Sequence, residues 1–371
     1  MTKARVLIVD DSVVIRRLVS NALADQPEIE VIGTAATGRI ALARVPQINP
    51  DVIVLDVEMP EMNGLETLSE LRKTHPRLPV IMFSSLTEKG ATVTLEALAR
   101  GASDYVTKPT HAGSVTQSLE RVRDELVPRI HALTGRRELA AAPPVFVPVK
   151  SESPRPLSPI RPRSGPVDVV AIGTSTGGPN ALADVFTALP PGFDTPVVVV
   201  QHMPPVFTRL LAERLSARCP LDVKEGFDGA EVVAGTAWIA PGDFHMTVRR
   251  EGTRVFLATN QEPPENSCRP AVDVLFRSVA SVYGPRALGV VLTGMGQDGL
   301  RGSESMHDAG AQILAQDEAS SVVWGMPGFV ARSGMCEAVL PLSQVAGEIL
   351  RRVKRTGSLV QMPAVAGRAS G

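Results

Sequence analysis

Two sets of polar residues in this sequence have types and spacings that can do chemistry. The first is acidic. Asp10 and Asp11 follow the apolar run ARVLIV, and Asp56 closes DVIVLD. Carboxylates that converge repel one another unless a cation lies among them. An all-oxygen donor set suits Mg2+, which takes one or two carboxylates together with water and phosphate oxygens. Ser84 follows PVIMF and Lys108 follows SDYVT. A hydroxyl and an ammonium beside such a cluster fit an incoming phosphoryl group. Asp56 is then the candidate nucleophile, while Mg2+ and Lys108 neutralise developing charge. Lys108-Pro109 is a candidate cis peptide that would aim the lysine.

The second set centres on Ser175 in AIGTSTGGP. Gly173 to Gly177 fits G-x-S-x-G, the pattern of a nucleophile on a strand-to-helix turn. The same stretch also fits a phosphate-cradling helix start or a plain turn with a capping serine. The phosphate reading lacks a lysine after the glycines and the dinucleotide spacing. His202 follows TPVVVVQ directly, and Asp298 lies in LTGMGQDG after another apolar run. If the three share a sheet edge, His202 takes the proton of Ser175 and Asp298 orients the imidazole. Backbone N–H groups at the following helix start would hold an oxyanion, and Gly173, Gly177 and Gly178 would leave room for substrate. The chain order is Ser, His, Asp, whereas ordinary α/β-hydrolases run Ser, Asp, His; geometry, not order, is the physical requirement. Asp243 and His245 in APGDFHM form a rival acid–base pair, two residues apart, so that one can point away from the other.

All of these side chains need strands to carry them. ARVLIV, EVIGTA, DVIVLD, PVIMFS and SDYVTK alternate with helical patterns such as SVVIRRLVSNAL and GLETLSELRKTH. Continuous Val/Ile/Leu runs imply strands buried on both faces, hence a parallel sheet covered by helices. A 2-1-3-4-5 strand order sets strands one and three side by side and brings Asp10, Asp11 and Asp56 together at the carboxyl edge. After a Pro/Arg/Ser-rich stretch the grammar repeats. VDVVAIG, TPVVVVQ, TAWIAP, ALGVVLTG and AQILAQ read as strands, with helices over NALADVFTAL, PVFTRLLAERLSA, AVDVLFRSVASVY, LRGSESMHDAG and 343–354. The predicted organisation is an α/β domain over 1–134, a linker over 135–166, a second doubly wound α/β domain over 167–354 and a flexible tail over 355–371.

Composition excludes several classes. A net charge of −1 over 371 residues gives no field for nucleic acid or a membrane surface, and 4% aromatics argue against base stacking. Three scattered cysteines without metal spacing predict reduced thiols in a cytoplasmic protein. No signal peptide is expected ahead of RVLIVDD, and no apolar run reaches the ~18 residues of a membrane span.

VLIVDDS, IVLDVEMPEMNGLE, FSSLTE and DYVTKP resemble the receiver domain of two-component response regulators, a five-stranded flavodoxin-like fold. That resemblance implies a histidine kinase as phosphodonor to Asp56. It also implies Mg2+ at Asp10, Asp11, Asp56 and the backbone carbonyl of Glu58, with Ser84 and Tyr105 at switch positions beside Lys108. AIGTSTGGP, VVQHMPPVFT, WIAPGDFHM, CRPAVDVLF and VVLTGMGQDG resemble the catalytic domain of the chemotaxis protein-glutamate methylesterases, the CheB family. The family's triad falls on Ser175, His202 and Asp298, and its oxyanion contributors on Thr176 and Met295. The resemblance implies hydrolysis of glutamate γ-methyl esters on the cytoplasmic domains of chemoreceptors, with release of methanol, and deamidation of receptor glutamines, without a cofactor for the hydrolysis. It also implies a monomer whose unphosphorylated receiver packs over the catalytic face, and phosphorylation that relieves the block. Cys268 and Ala271 depart from the family pattern at positions that bear on the substrate groove. Two rivals remain at this point: a phosphorylation-switched binding module on an inactive hydrolase fold, and a DNA-binding regulator, for which no basic recognition helix is visible.

Overall fold

The computed structural model describes residues 3–109, 114–135 and 167–353. The predicted linker beyond Gly135 and the predicted tail lie outside the described residues.

The first sheet is built from β1 (Ala4–Val9), β2 (Ile29–Ala35), β3 (Val52–Asp56), β4 (Val80–Ser84) and β5 (Asp104–Thr107). All neighbours are parallel and the order is β2-β1-β3-β4-β5, as the acidic cluster requires. The helices α1 (Val13–Ala24), α2 (Gly38–Ile48), α3 (Gly64–Thr74), α4 (Glu88–Ala99) and α5 (Val115–Leu133) alternate with the strands. Their starts are chemically marked. Ser12, Thr37 and Thr87 cap α1, α2 and α4, while Asn63 with Glu66 and Ser114 with Gln117 form capping boxes on α3 and α5.

The second sheet has seven parallel strands in the order β14-β13-β12-β6-β7-β9-β8. These are β6 (Val169–Thr174), β7 (Val197–Gln201), β8 (Asp222–Glu225), β9 (Thr236–Ile239), β12 (Ala287–Val291), β13 (Gln312–Gln316) and β14 (Ala338–Leu340). An antiparallel hairpin, β10 (His245–Glu251) with β11 (Arg254–Asn260), forms a separate two-stranded sheet. The helices are α6 (Gly178–Thr187), α7 (Phe207–Ser216), α8 (Val272–Tyr283), α9 (Leu300–Asp308), α10 (Met326–Arg332) and α11 (Leu342–Val353). The strands β6, β7 and β12, whose ends carry the Ser175, His202 and Asp298 loops, are adjacent at the middle of the sheet. Among the described residues no helix is long and apolar enough to cross a membrane.

The two sheets share apolar packing. Leu95 and Leu98 of α4 belong to one buried cluster with Leu182 of α6 and Leu211 and Leu215 of α7. Tyr105 of β5 stacks on Phe207 of α7, with ring centroids 4.9 Å apart and planes 9° from parallel.

Candidate functional site

The carboxyl edge of the first sheet gathers the predicted acidic cluster. Carboxylate oxygens of Asp10, Asp11 and Asp56 lie within 4.8 Å of one another. Asp10 and Asp56 are buried and Asp11 is exposed. Lys108 Nζ lies 2.7 Å from Asp56 Oδ1 and 2.9 Å from Asp10 Oδ2. Asp56 Oδ1 also accepts the N–H of Glu58 at 3.3 Å, while Asp56 Oδ2 is buried with no hydrogen-bond partner. An orphaned carboxylate oxygen beside two more carboxylates fits a hard divalent cation. Burial raises the Asp56 pKa to about 6; Asp10 adds to the rise, and Lys108 opposes it. Lys108-Pro109 is not cis; the cis peptide of the described chain is Arg269-Pro270. Lys108 is aimed instead by its two ion pairs and by its N–H, which continues the ladder to Ser84 O at 2.7 Å.

A raised carboxyl pKa means that ionised Asp56 destabilises the fold above about pH 6, and that this cost disappears as pH falls towards the ordinary carboxyl range. Asp56→Asn is therefore expected to stabilise the metal-free protein at pH 7 by about 1–3 kcal/mol. Thermal melting in chelator would check this, and an unchanged or lower Tm would contradict it.

Ser84 is buried, and its Oγ donates to Gly90 O at 3.1 Å, in the first turn of α4. Tyr105 is buried against Phe207, and burial pushes its phenol pKa up. Both residues thus connect the acidic edge to surfaces that face the second sheet.

In the second sheet, Ser175 sits between β6 and α6. Its N–H donates to Thr293 O at 3.0 Å, and its carbonyl accepts Gly178 N–H at 2.8 Å and Gln201 Nε2 at 3.0 Å. The cap of α6 is Gly177, at φ 80°, with no side-chain hydrogen bond. The capping reading of Ser175 therefore fails. Among the described residues no hydrogen bond engages Ser175 Oγ, nor the N–H groups of Thr176 and Met295.

The room expected for substrate at the glycines is taken up by the protein itself. A Cβ on Gly173 would lie 2.4 Å from Val272, one on Gly177 2.7 Å from Val322, and one on Gly178 1.9 Å from Gln201 Oε1. These glycines let α8, the 322 loop and β7 close on the Ser175 turn, which fixes it from behind.

His202 and Asp298 meet directly, His202 Nε2 lying 2.8 Å from Asp298 Oδ2. Asp298 is buried and saturated. Its Oδ2 also accepts Val272 N–H at 2.6 Å, and its Oδ1 accepts Asp273 N–H at 3.0 Å, Gly299 N–H at 3.0 Å and Asn266 Nδ2 at 2.9 Å. Burial alone would raise the Asp298 pKa, but His202 and these donors hold it below the ordinary carboxylate value. Burial likewise opposes charge on His202, yet hydrogen bonds to Asp298 and Cys268 hold its pKa well above the ordinary histidine value. His202 Nδ1 faces Cys268 Sγ at 3.6 Å. The described structure therefore joins His202 to Asp298 and to Cys268, and gives no hydrogen bond from Ser175 to His202.

The rival pair does not meet. Asp243 pairs with Arg269 at 2.6 Å. His245 is buried, with Nε2 at Pro263 O (3.1 Å) and Nδ1 accepting Ala271 N–H (3.3 Å). Both brace the loop that carries Cys268 and Arg269. Ala271 is wholly buried at the start of α8.

Sequence reasoning missed Asp104. Its Oδ2 accepts Thr176 Oγ1 at 2.7 Å and Arg129 Nε at 3.1 Å, so β5 of the first sheet touches the residue after Ser175. Asn180 Nδ2 of α6 donates to Leu98 O at 2.7 Å, and Arg209 of α7 pairs with Glu88 of α4 at 3.0 Å. A cleft of about 580 Å³ remains between the sheets, lined by Tyr105, Arg121 and Arg129 on one side and His202, Cys268 and Arg269 on the other. No sequence signal marks Asp104, because its partner is far along the chain.

Residues 6–120 match the response regulator receiver domain family and residues 170–349 the CheB methylesterase family. A protein from Trichodesmium erythraeum, named protein-glutamate methylesterase/protein-glutamine glutaminase, is 52% identical over 353 residues, covering 95% of this chain and 100% of that protein. A Nocardioides protein of the same name is 50% identical, covering 96% and 97%. The crystal structure of the Thermotoga maritima CheB methylesterase catalytic domain shares 40% identity over 50% of this chain and 99% of that one, with a TM-score of 0.49. The two family matches, with 50–52% identity to curated relatives over 95–96% of the chain, place it in the CheB methylesterase family, as a member in which a response regulator receiver precedes the methylesterase domain.

Proposed function

We propose that the chain is a phosphorylation-controlled hydrolase of glutamate γ-methyl esters on chemoreceptor cytoplasmic domains, acting also on receptor glutamines. It is a cytoplasmic monomer that serves chemosensory adaptation. The observation that carries the reading is the His202–Asp298 pair fixed on strand ends that flank the Ser175 turn.

In this reading Ser175 Oγ attacks the γ-carbonyl and passes its proton to His202. Asp298 already occupies Nε2, so Nδ1 is the ring nitrogen left to accept that proton. The free N–H groups of Thr176 and Met295 receive the oxyanion. His202 then protonates the leaving methoxide, which departs as methanol, or the amide nitrogen of a glutamine, which departs as ammonia, and a water molecule releases the acyl group by the same route. No metal or cofactor is invoked for the hydrolysis.

In the arrangement described, the receiver stands against Thr176 through Asp104. A histidine kinase would phosphorylate Asp56; Mg2+ held by Asp10, Asp11, Asp56 and the Glu58 carbonyl would neutralise the phosphoryl oxygens. Lys108 pairs with the charge that the phosphoryl group adds, about −1.5 to −2. Ser84 and Tyr105, whose partners are α4 and Phe207, carry the change to the domain contact.

The test is methanol release from methyl-esterified receptor membranes, with and without a small phosphodonor and Mg2+. Release that rises with phosphodonor supports both halves of the reading, and no release from folded protein under either condition overturns it. Asp104→Ala, which removes the acceptor of the Thr176 hydroxyl, should raise unphosphorylated activity about tenfold, since a bond to a charged acceptor contributes about 1.5–3 kcal/mol. Basal turnover that stays at the wild-type level would show that this contact does not hold the closed state.

A further inference from the structure

Cys268 is held more firmly than a surface thiol needs to be. It closes a turn in which Glu265 and Cys268 exchange both backbone hydrogen bonds, at 2.9 and 3.1 Å. The central residues Asn266 and Ser267 both have positive φ, 52° and 61°, which costs conformational energy for non-glycine residues. The turn is anchored by Asn266 Nδ2, which donates to Asp273 Oδ2 at 2.8 Å as well as to Asp298 Oδ1. On its other side Arg269 is tied to Asp243 and to the carbonyls of Gln261 and Glu262. The product of this bracing is a sulfur 3.6 Å from His202 Nδ1, with both residues in the wall of the interdomain cleft.

We propose that Cys268 and His202 form a reactive thiol–imidazole pair, a modification site for small electrophiles such as hydroperoxides, and that modifying this thiol withholds His202 from Ser175. Beside the imidazole the thiol loses its proton to water, and the resulting thiolate attacks one peroxide oxygen. The S–O bond forms as the O–O bond breaks. Sulfur is oxidised by two electrons to the sulfenic acid, and the hydroperoxide is reduced to water or an alcohol, whose oxygen takes the proton back. The charged groups facing the pair are Asp298 behind His202, Arg269 and Asp243 on the same loop system, and Arg121, Glu125 and Arg129 across the cleft from the receiver. The other two thiols have no such neighbour. Cys219 Sγ faces Leu221 O at 3.6 Å, and burial raises its pKa; Cys336 is pushed by burial to about 12.

The experiment treats the full chain with hydrogen peroxide and a sulfenic-acid-trapping dione, and quantifies each cysteine peptide by mass spectrometry. At pH 7, Cys268 should label at least about tenfold faster than Cys219 and Cys336. Equal rates for the three thiols would overturn the proposal. His202→Gln should abolish the advantage of Cys268 alone, and the relative labelling rates in the wild-type chain decide the matter if that variant does not fold. The effect on turnover rests on the hydrolase reading: peroxide should reduce methanol release in the wild type and should not change the activity ratio in Cys268→Ala. Absent methanol release before peroxide is added would count against the hydrolase reading. Unlabelled Cys268 in an active protein would count against this one.

Discussion

Ser175→Ala should leave the chain folded and lower methanol release by roughly 10⁴- to 10⁶-fold. The expectation follows from what holds the turn. Its conformation rests on backbone bonds from Ser175 to Thr293, Gly178 and Gln201, and on close packing at Gly173 and Gly177. Among the described residues the hydroxyl makes no hydrogen bond, so its removal costs little stability. Whatever rate survives measures the oxyanion donors and binding alone. Methanol release and circular dichroism on the same preparation would decide it. A folded variant with more than about a tenth of wild-type activity would exclude Ser175 as the nucleophile.

Asp298→Asn is expected to fail in two ways. The Asp298 oxygens accept five donors, three on Oδ1 and two on Oδ2. An amide must turn its NH2 against one of these sets, so donors meet a donor in a buried site. The cost is about 3–5 kcal/mol of stability, and the loss of a counter-charge for His202 should cost about 10³- to 10⁴-fold in rate. The stability gap depends on pH. The His202 pKa is raised to about 10, so its contribution is complete below about pH 6.5 and fades as pH rises towards 10. The Asp298 pKa is lowered, so its contribution is present above about pH 4 and fades in stronger acid. Wild type and variant should therefore differ most between about pH 4 and 6.5, and the gap should narrow towards pH 10 to the part that the misplaced amide causes. Asp273 offsets part of the gap. Burial and the Asp298 carboxylate push its pKa to about 6, and it ionises more readily beside a neutral neighbour. Denaturant melts across this range would show the window, and a gap independent of pH would mean that the pair is not charged in the fold.

Much of this arrangement is legible in the sequence because it rests on short-range chemistry. Unbroken apolar runs announce the core strands, and polar residues placed at their carboxyl ends announce both sites. The 2-1-3-4-5 order is expected from the acidic cluster, whereas the pairing of β12 with β6, more than 100 residues earlier, is visible only in the structure. The elements not foreseen are those whose signal is weak or whose partner is remote. β8 and β14 are edge strands of four and three residues. The β10–β11 hairpin did carry a legible alternation, with Met246 and Val248 buried and Arg249 and Arg250 exposed around a Gly252 turn, but it lies outside the βα grammar that organised the reading. The glycines around Ser175 were legible as glycines; that Val272, Val322 and Gln201 fill their empty sides is a property of packing. Asp104 and Asn266 could not be found at all, since each acts through residues 32 to 72 positions away.

The hydrogen bond between Thr176 and Asp104 joins two partners with unequal freedom to vary. In the proposed mechanism Thr176 lends only its backbone N–H to the reaction, and Asp104 is given no role in it. A genetic selection for always-active variants should therefore yield changes at Asp104 and at the Thr176 side chain, since both remove the hydrogen bond and spare the N–H, and should yield no proline at Thr176. Drift that loosens control can be recorded on either side of the contact wherever the backbone is spared.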